Sequence, residues 1–137
     1  MSPEEMAVVH AAAFTQSRPW RADEFRDLLS NRFTHSIGNG QCFAVFQVVA
    51  DEAELLTIAT HPYHQRQGHA RSLMDAWHSQ AGKLGAARAF LDVAADNAPA
   101  IALYDSCGYA PIGLRRGYYR RPAGENVDAV LMERALP

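Results

Sequence analysis

The chain has 137 residues, 48% of them apolar and 20% charged, which fits a single globular domain, residues 1–137, with a core that needs no disulfide or metal. Thirteen Lys and Arg against 15 Asp and Glu leave a net charge of −2, which argues against a general nucleic-acid-backbone binder. No run of ~18 apolar residues is present to span a membrane, no basic-then-apolar leader opens the chain, and Cys42 and Cys107 show no paired spacing, so a reduced, cytoplasmic setting is the expectation.

In chain order, Ser2-Pro3-Glu4-Glu5 reads as a helix start. Ser2 can cap, Pro3 suits the first helical position, and Glu5 sits where a capping-box acid belongs. Met6, Val9, His10 and Ala13 follow as a helical stripe until Pro19 interrupts. A second helix is predicted over residues 22–30, with Phe25, Leu28 and Leu29 inward. Gly38-Asn39-Gly40 signals a turn. Residues 42–49 are rich in β-formers, Asp51-Glu52 marks a turn, and residues 54–60 form the next strand, which His61-Pro62 ends.

From 69 to 84 the period becomes helical, with Ala70, Leu73, Met74, Trp77, Ala81 and Leu84 on one face and Gly85 as the stop. A short strand spans 89–93. Asp96-Asn97 caps a helix over 99–107, which Gly108 closes. Strand material follows in 109–119, then a polar loop over 120–126 and a last strand over 127–134. The order predicts a mixed α/β domain with helices packed on a central sheet.

Two segments carry candidate chemistry. Gln65-Arg66-Gln67-Gly68-His69-Ala70 joins a strand to an amphipathic helix. The first turn of a helix has N–H groups without intrahelical partners, which suit an anion such as a pyrophosphate. Gly68 permits close backbone approach, Ala70 is small, and Arg66 or Arg71 could add charge. An ordinary strand-to-helix turn would read the same. In the second segment Asn97 and Tyr104 lie two helical turns apart, on one face. Asp92 lies one strand earlier, on the side opposite Leu91 and Val93. Asn97 as a simple cap, Tyr104 as a packing residue and Asp92 as a strand end are the plain alternatives.

Together the segments resemble the GNAT acyltransferase superfamily, whose pyrophosphate motif Gln/Arg-x-x-Gly-x-Gly/Ala is matched at each defined position from Gln65 to Ala70. Asn97, the run from Ala100 to Tyr104, and Gly108-Tyr109 resemble its later helix. Pro19-Trp20, the stretch from Asp51 to Leu55, Leu91-Asp92-Val93, Arg115 with Tyr118-Tyr119, and the close from Asp128 to Met132 are similar to the RimI type, ribosomal-protein alanine N-acetyltransferases. The resemblance covers residues 7–136.

The resemblance implies a mostly antiparallel twisted sheet with helices on both faces. A splayed parallel strand pair would hold acetyl-CoA, and the family's first strand would be missing. It implies acyl-arm contacts to Ile58, Ala59 and Thr60. Arg66, Gln67, Gly68, His69, Ala70 and Arg71 would wrap the pyrophosphate, and Asn97 would lie at the pantetheine. Tyr104 would be the general acid for the thiolate. Asp92 stands where the family usually has a glutamate base, one methylene shorter, so the proton would pass to it directly or through a water. Trp20, Tyr118 and Tyr119 would meet a protein N-terminal peptide, expected from a ribosomal protein. A metabolite amine, a lysine, or acyl-CoA binding without catalysis are the alternatives.

Of the remaining residues, Arg115 to Arg121 is the most basic stretch, either a solvated strand end or a substrate rim. His61 and His64 have poor metal-pair geometry, and no metal is expected.

Overall fold

A computed structural model describes residues 1–14, 18–122 and 124–137. Helices α1 (Pro3–Ala13) and α2 (Ala22–Ser30) come first, then strands β1 (Thr34–Gly38), β2 (Cys42–Val49) and β3 (Glu52–Thr60). A 3-10 turn at Pro62–His64 leads to α3 (His69–Lys83), β4 (Arg88–Ala94), α4 (Ala98–Ser106), β5 (Ala110–Tyr119) and β6 (Val127–Ala135). The predicted capping box closes α1: Glu5 N–H donates to Ser2 Oγ at 3.1 Å and Ser2 N–H to Glu5 Oε1 at 2.9 Å.

The six strands form one sheet in the order β1-β2-β3-β4-β6-β5. Only the β3–β4 pairing is parallel. Strand β2 is buried along nearly its whole length because both of its faces are covered. Phe43 and Val45 join Met6, Val9 and Phe25 beneath α1 and α2. Ala44, Phe46 and Val48 join Met74, Trp77, Leu91 and Met132 beneath α3 and α4. Alternation along one strand thus feeds two cores. No strand precedes α1 among the described residues.

Strand β1 was not predicted. Its sequence, Thr-His-Ser-Ile-Gly, buries only Thr34, and its strand state comes from antiparallel pairing with β2. Leu84, predicted on the inward face of α3, is exposed at the C-cap, and His78 is buried in that helix instead.

Two irregularities shape the site. Val45 pairs with Thr57 while Phe46 pairs with Leu55, so Leu56 is a bulged residue in β3. The bulge reverses the facing of the strand. Ala53 and Leu55 point toward α3 and α4, whereas Ala59, beyond it, packs beneath α1 and α2. It also lies just past the last contact with β4, whose ladder holds only Glu52–Arg88, Ala53–Ala89 and Glu54–Phe90. Beyond it β3 follows β2 and β4 follows β6, and the two strands part.

Candidate active site

The splay leaves backbone groups of β3 past the bulge and of β4 facing each other without a ladder. Ile58, Ala59 and Thr60 lie on its β3 side. Such an edge can accept an extended amide-bearing chain as a further strand would be accepted. The thiol of Cys42 lies 3.1 Å from Thr60 Oγ1 at this end, and burial pushes its pKa up, which suits packing rather than nucleophilic chemistry.

The chain then enters the pyrophosphate-type segment. Arg66 has φ 63° and Gly68 φ 80°, so two left-handed residues flank Gln67. Successive turns of this kind aim N–H groups into a concavity suited to an anion. Gly68 is the N-cap of α3 and supplies no side-chain cap, so the first N–H groups of the helix are not claimed by a capping oxygen. Space does not demand the glycine, since an added Cβ would meet nothing within 4 Å; the positive φ does. Arg66 holds the same region at a strain of roughly 1 kcal/mol or more, which is characteristic of functional loops.

The neighbouring side chains brace the loop. Gln65 Nε2 donates to the Thr60 carbonyl at 3.1 Å and Gln67 Nε2 to that of Tyr63 at 3.4 Å. His69 Nε2 lies 3.1 Å from Gln67 Oε1. Arg71 does not turn into the loop. Its guanidinium donates to Ser106 Oγ at 2.8 Å and to the Ser106 carbonyl at 3.2 Å, tying α3 to the end of α4. Arg66 is exposed, and Ala70 is half-buried at the start of α3.

Asn97 caps α4, its Oδ1 accepting from Ala100 N–H at 3.2 Å. Tyr104, two turns on, is only 7% exposed. Burial raises its pKa above the ordinary phenol range, with Tyr119 and Cys107 adding to the shift. Its hydroxyl makes no hydrogen bond among the described residues, so its proton is held firmly and is not committed elsewhere. Asn97 and Tyr104 therefore share a helix face without equal access: the first is exposed, the second enclosed.

Asp92 occupies the opposite face of the sheet from Leu91 and Val93, as alternation predicted. Its side chain is 14% exposed, and Arg115 Nε stands 3.3 Å from Oδ1, in ion-pair range but not aligned as a hydrogen bond. Tyr104 lies in the core on the α3 and α4 side of the sheet, and Asp92 lies on the other face. Tyr119 is an electrostatic neighbour of both, and burial, Asp92 and Tyr118 push its pKa up to about 12. A protonated acid and a carboxylate thus lie on opposite faces of the sheet, each within electrostatic reach of Tyr119. That arrangement suits moving protons on and off a carbonyl adduct.

Neighbouring residues predicted together divide. Tyr119 is half-buried within electrostatic reach of Asp92 and Tyr104, while Tyr118 is 51% exposed with the Arg115 guanidinium 5.4 Å above its ring. Trp20 packs between His10 and Phe25, and its backbone N–H donates to His10 Nδ1 at 3.1 Å. Of the basic stretch, Arg115 reaches Asp92 and Arg121 pairs with Asp96 at 2.9 Å. Glu54, read in the sequence as a strand start within the Asp51 to Leu55 stretch, shares the Asp92 face. Among the described residues no three His, Cys, Asp or Glu side chains are arranged to hold a metal, and no helix is long and apolar enough to cross a membrane.

A bulged strand parting from its parallel neighbour, with an anion-ready helix start below it, defines an acyl-CoA-dependent acyltransferase fold. The acetyltransferase (GNAT) family matches residues 13–109, and the chain belongs to that family. It is an acetyl-CoA-dependent acetyltransferase. It is 38% identical over 135 residues to the [ribosomal protein bS18]-alanine N-acetyltransferase of Escherichia coli strain K12, covering 96% of this chain and 89% of the relative. The crystal structure of the ribosomal-protein-S18-alanine N-acetyltransferase from Escherichia coli matches with a TM-score of 0.87 at 34% identity, over 98% of this chain and 87% of that one. Arabidopsis thaliana NAA60, crystallised with acetyl-CoA, shares the fold, with a TM-score of 0.82 at 16% identity, over 98% and 93% of the two chains.

Proposed function

We propose that this chain acetylates the α-amine of a protein N-terminus, specifically the N-terminal alanine of ribosomal protein bS18, in the cytoplasm. The observation that carries the substrate is the likeness to the Escherichia coli enzyme across 96% of the chain.

In this reading the backbone of Ile58 to Thr60 aligns the acyl arm of acetyl-CoA along β3, and its N–H groups polarise the thioester carbonyl. Arg66 to Ala70 hold the pyrophosphate, and Asn97 borders the arm. Arg71 acts from behind, fixing α3 against α4. The peptide enters on the face of Asp92, bounded by Trp20, Tyr118 and Tyr119.

The amine attacks the thioester carbon directly, so it must be neutral. An α-amine with pKa ~7.8 is roughly a tenth neutral at pH 7, far more than a lysine amine with pKa ~10.4. Asp92 accepts the proton the amine gives up. The C–S bond then breaks while the Tyr104 hydroxyl donates a hydrogen bond to the departing sulfur. A thiol near pKa ~8.5 is a stronger acid than this enclosed phenol, so Tyr104 acts by stabilising the charge that builds on sulfur rather than by full transfer, and CoA leaves as a thiolate that solvent protonates.

Incubating the full chain with acetyl-CoA and an alanine-starting bS18 peptide tests the reading. It expects acetylation at the α-amine and stoichiometric free thiol. No turnover on that peptide beside rapid acetylation of lysines or small amines would overturn it.

A further inference from the structure

Between the end of β3 and the pyrophosphate-type loop stands the most exposed large apolar side chain among the described residues, Tyr63, at 84%. One face of its ring lies on the His61 imidazole, with centroids 5.1 Å apart and planes 26° apart, and the other is open to solvent. The backbone beneath this ring is fixed from both sides. His61 Nδ1 accepts from Tyr63 N–H at 3.2 Å, and Gln67 Nε2 donates to the Tyr63 carbonyl at 3.4 Å. Gln67 Oε1 can only accept, so His69 Nε2, 3.1 Å away, is the donor to it. Pro62 fixes the turn, and His64 N–H closes it on the His61 carbonyl at 2.8 Å. An exposed aromatic ring is thus held in register with His69, the first residue of α3.

We infer that Tyr63, backed by His61, is the platform on which the adenine ring of acetyl-CoA stacks. The inference rests on the reading that Arg66 to Ala70 hold the pyrophosphate. Adenosine is joined to that pyrophosphate through its ribose, so the adenine of a bound cofactor settles beside the loop. Tyr63 lies three residues before Arg66 and is tied to the loop through Gln67. Every purine presents a π-face, and an aromatic ring ordered before binding receives it at little further cost in entropy. Stacking also covers apolar surface that is otherwise left in water.

The surroundings favour a nucleotide over a peptide. From Leu55 to Met74 the chain has no Asp or Glu, and it holds Arg66, Arg71 and three histidines. The histidine rings follow one another along the turn, with the His61–His64 and His64–His69 centroids each 6.1 Å apart. Because His61 Nδ1 is an acceptor, its neutral ring carries the proton on Nε2, where a phosphate oxygen can take the hydrogen bond. Such a surface suits a ligand that is both aromatic and polyanionic. It offers an incoming ammonium no carboxylate; the carboxylate for the amine, Asp92, is on β4.

The test is calorimetric titration of the full chain and its Tyr63→Ala, Tyr63→Phe and Gly68→Ala variants with acetyl-CoA and with S-acetyl-4′-phosphopantetheine, which has no adenosine. Tyr63→Ala is expected to weaken acetyl-CoA roughly fivefold or more and to leave the truncated ligand within about twofold of the parent. Tyr63→Phe keeps the ring and should match the parent on both ligands within about twofold. The side chain is exposed, so each Tyr63 variant should keep the parental melting temperature. In Tyr63→Trp, the emission beyond the parent's own should be quenched by acetyl-CoA and not by S-acetyl-4′-phosphopantetheine. Unchanged acetyl-CoA affinity in Tyr63→Ala, equal weakening of both ligands, or an indole that acetyl-CoA does not quench overturns the platform. Acetyl-CoA binding that Gly68→Ala leaves intact sinks the pyrophosphate reading and this inference with it. Weakening in Gly68→Ala with none in Tyr63→Ala removes Tyr63 alone.

Discussion

Arg115 Nε stands 3.3 Å from Asp92 Oδ1, with strand β6 between the two strands that carry them. Oδ1 is buried and makes no hydrogen bond among the described residues. The carboxylate is therefore held by charge while its lone pairs stay available to an incoming N–H. A hydrogen-bonded arginine would have occupied them.

Replacing Arg115 by Gln should matter more to catalysis than to folding. The arginine side chain is half exposed, and pairs of this kind contribute ~0.2–1 kcal/mol. The denaturant midpoint should move by no more than that allows. Loss of Arg115 should lower kcat/KM for the peptide severalfold, because the Asp92 carboxylate then lacks the charge that holds it. An unchanged kcat/KM would separate Arg115 from the catalytic carboxylate.

Tyr104→Phe should cut kcat by ~100-fold while leaving the melting temperature nearly unchanged. The hydroxyl has no hydrogen-bond partner among the described residues, so its removal breaks no bond. The ring remains 7% exposed and packed against Tyr109 at a centroid distance of 6.0 Å. The KM for acetyl-CoA should hold. A large fall in stability, or a rise in that KM with kcat intact, would make Tyr104 a packing residue.

Local chemistry made much of this molecule readable. The Ser2–Glu5 capping box, the α3 stripe and the Leu91-Asp92-Val93 alternation each depend on residues a few positions apart, and each stands as read except that Leu84 is exposed at the end of α3 and His78 is buried in that helix. The segment around Gly68 was readable for the same reason, because its turn chemistry is encoded within it. What escaped depends on distant partners. Arg71 is drawn off by Ser106, 35 residues along the chain, a contact that no spacing rule contains. The Leu56 bulge appears only in the register between β2 and β3, and without it the facings of Ala59 and Glu54 cannot both be assigned. Tyr118 and Tyr119 look alike in sequence, yet one is exposed and the other is half-buried near Asp92.

Two buried histidines set an acid limit on stability. Burial depresses the pKa of both His10 and His78 from 6.5 to about 4. Both are neutral in the fold; His10 accepts from Trp20 N–H, and His78 Nε2 lies 2.6 Å from the Tyr109 hydroxyl. Between pH 6.5 and about 4 the unfolded chain binds protons that the folded chain refuses. Their contribution is full above pH 6.5 and is lost progressively down to about pH 4, at up to ~1.4 kcal/mol per pH unit for each proton. Denaturant midpoints measured across that window should fall as pH falls. His10→Gln should remove roughly half of the slope, and an unchanged slope would show that His10 is not one of the titrating groups.

Gly68→Ala separates the conformation of the loop from its role. The added methyl group meets nothing within 4 Å, so the folding penalty is that of placing a Cβ at φ 80°, about 1 kcal/mol. The chain can relieve that strain by turning the 67–68 peptide, which would redirect the N–H groups at the start of α3 away from a bound pyrophosphate. Stability should therefore drop by about 1 kcal/mol in denaturant titration. Acetyl-CoA affinity, measured by calorimetry, should drop by tenfold or more, with dephosphorylated pantetheine analogues that lack the pyrophosphate bound as well as by the parent. Equal weakening of both ligands would place the damage in the β3–β4 splay, and unchanged acetyl-CoA binding would remove the Gly68 turn from the cofactor site.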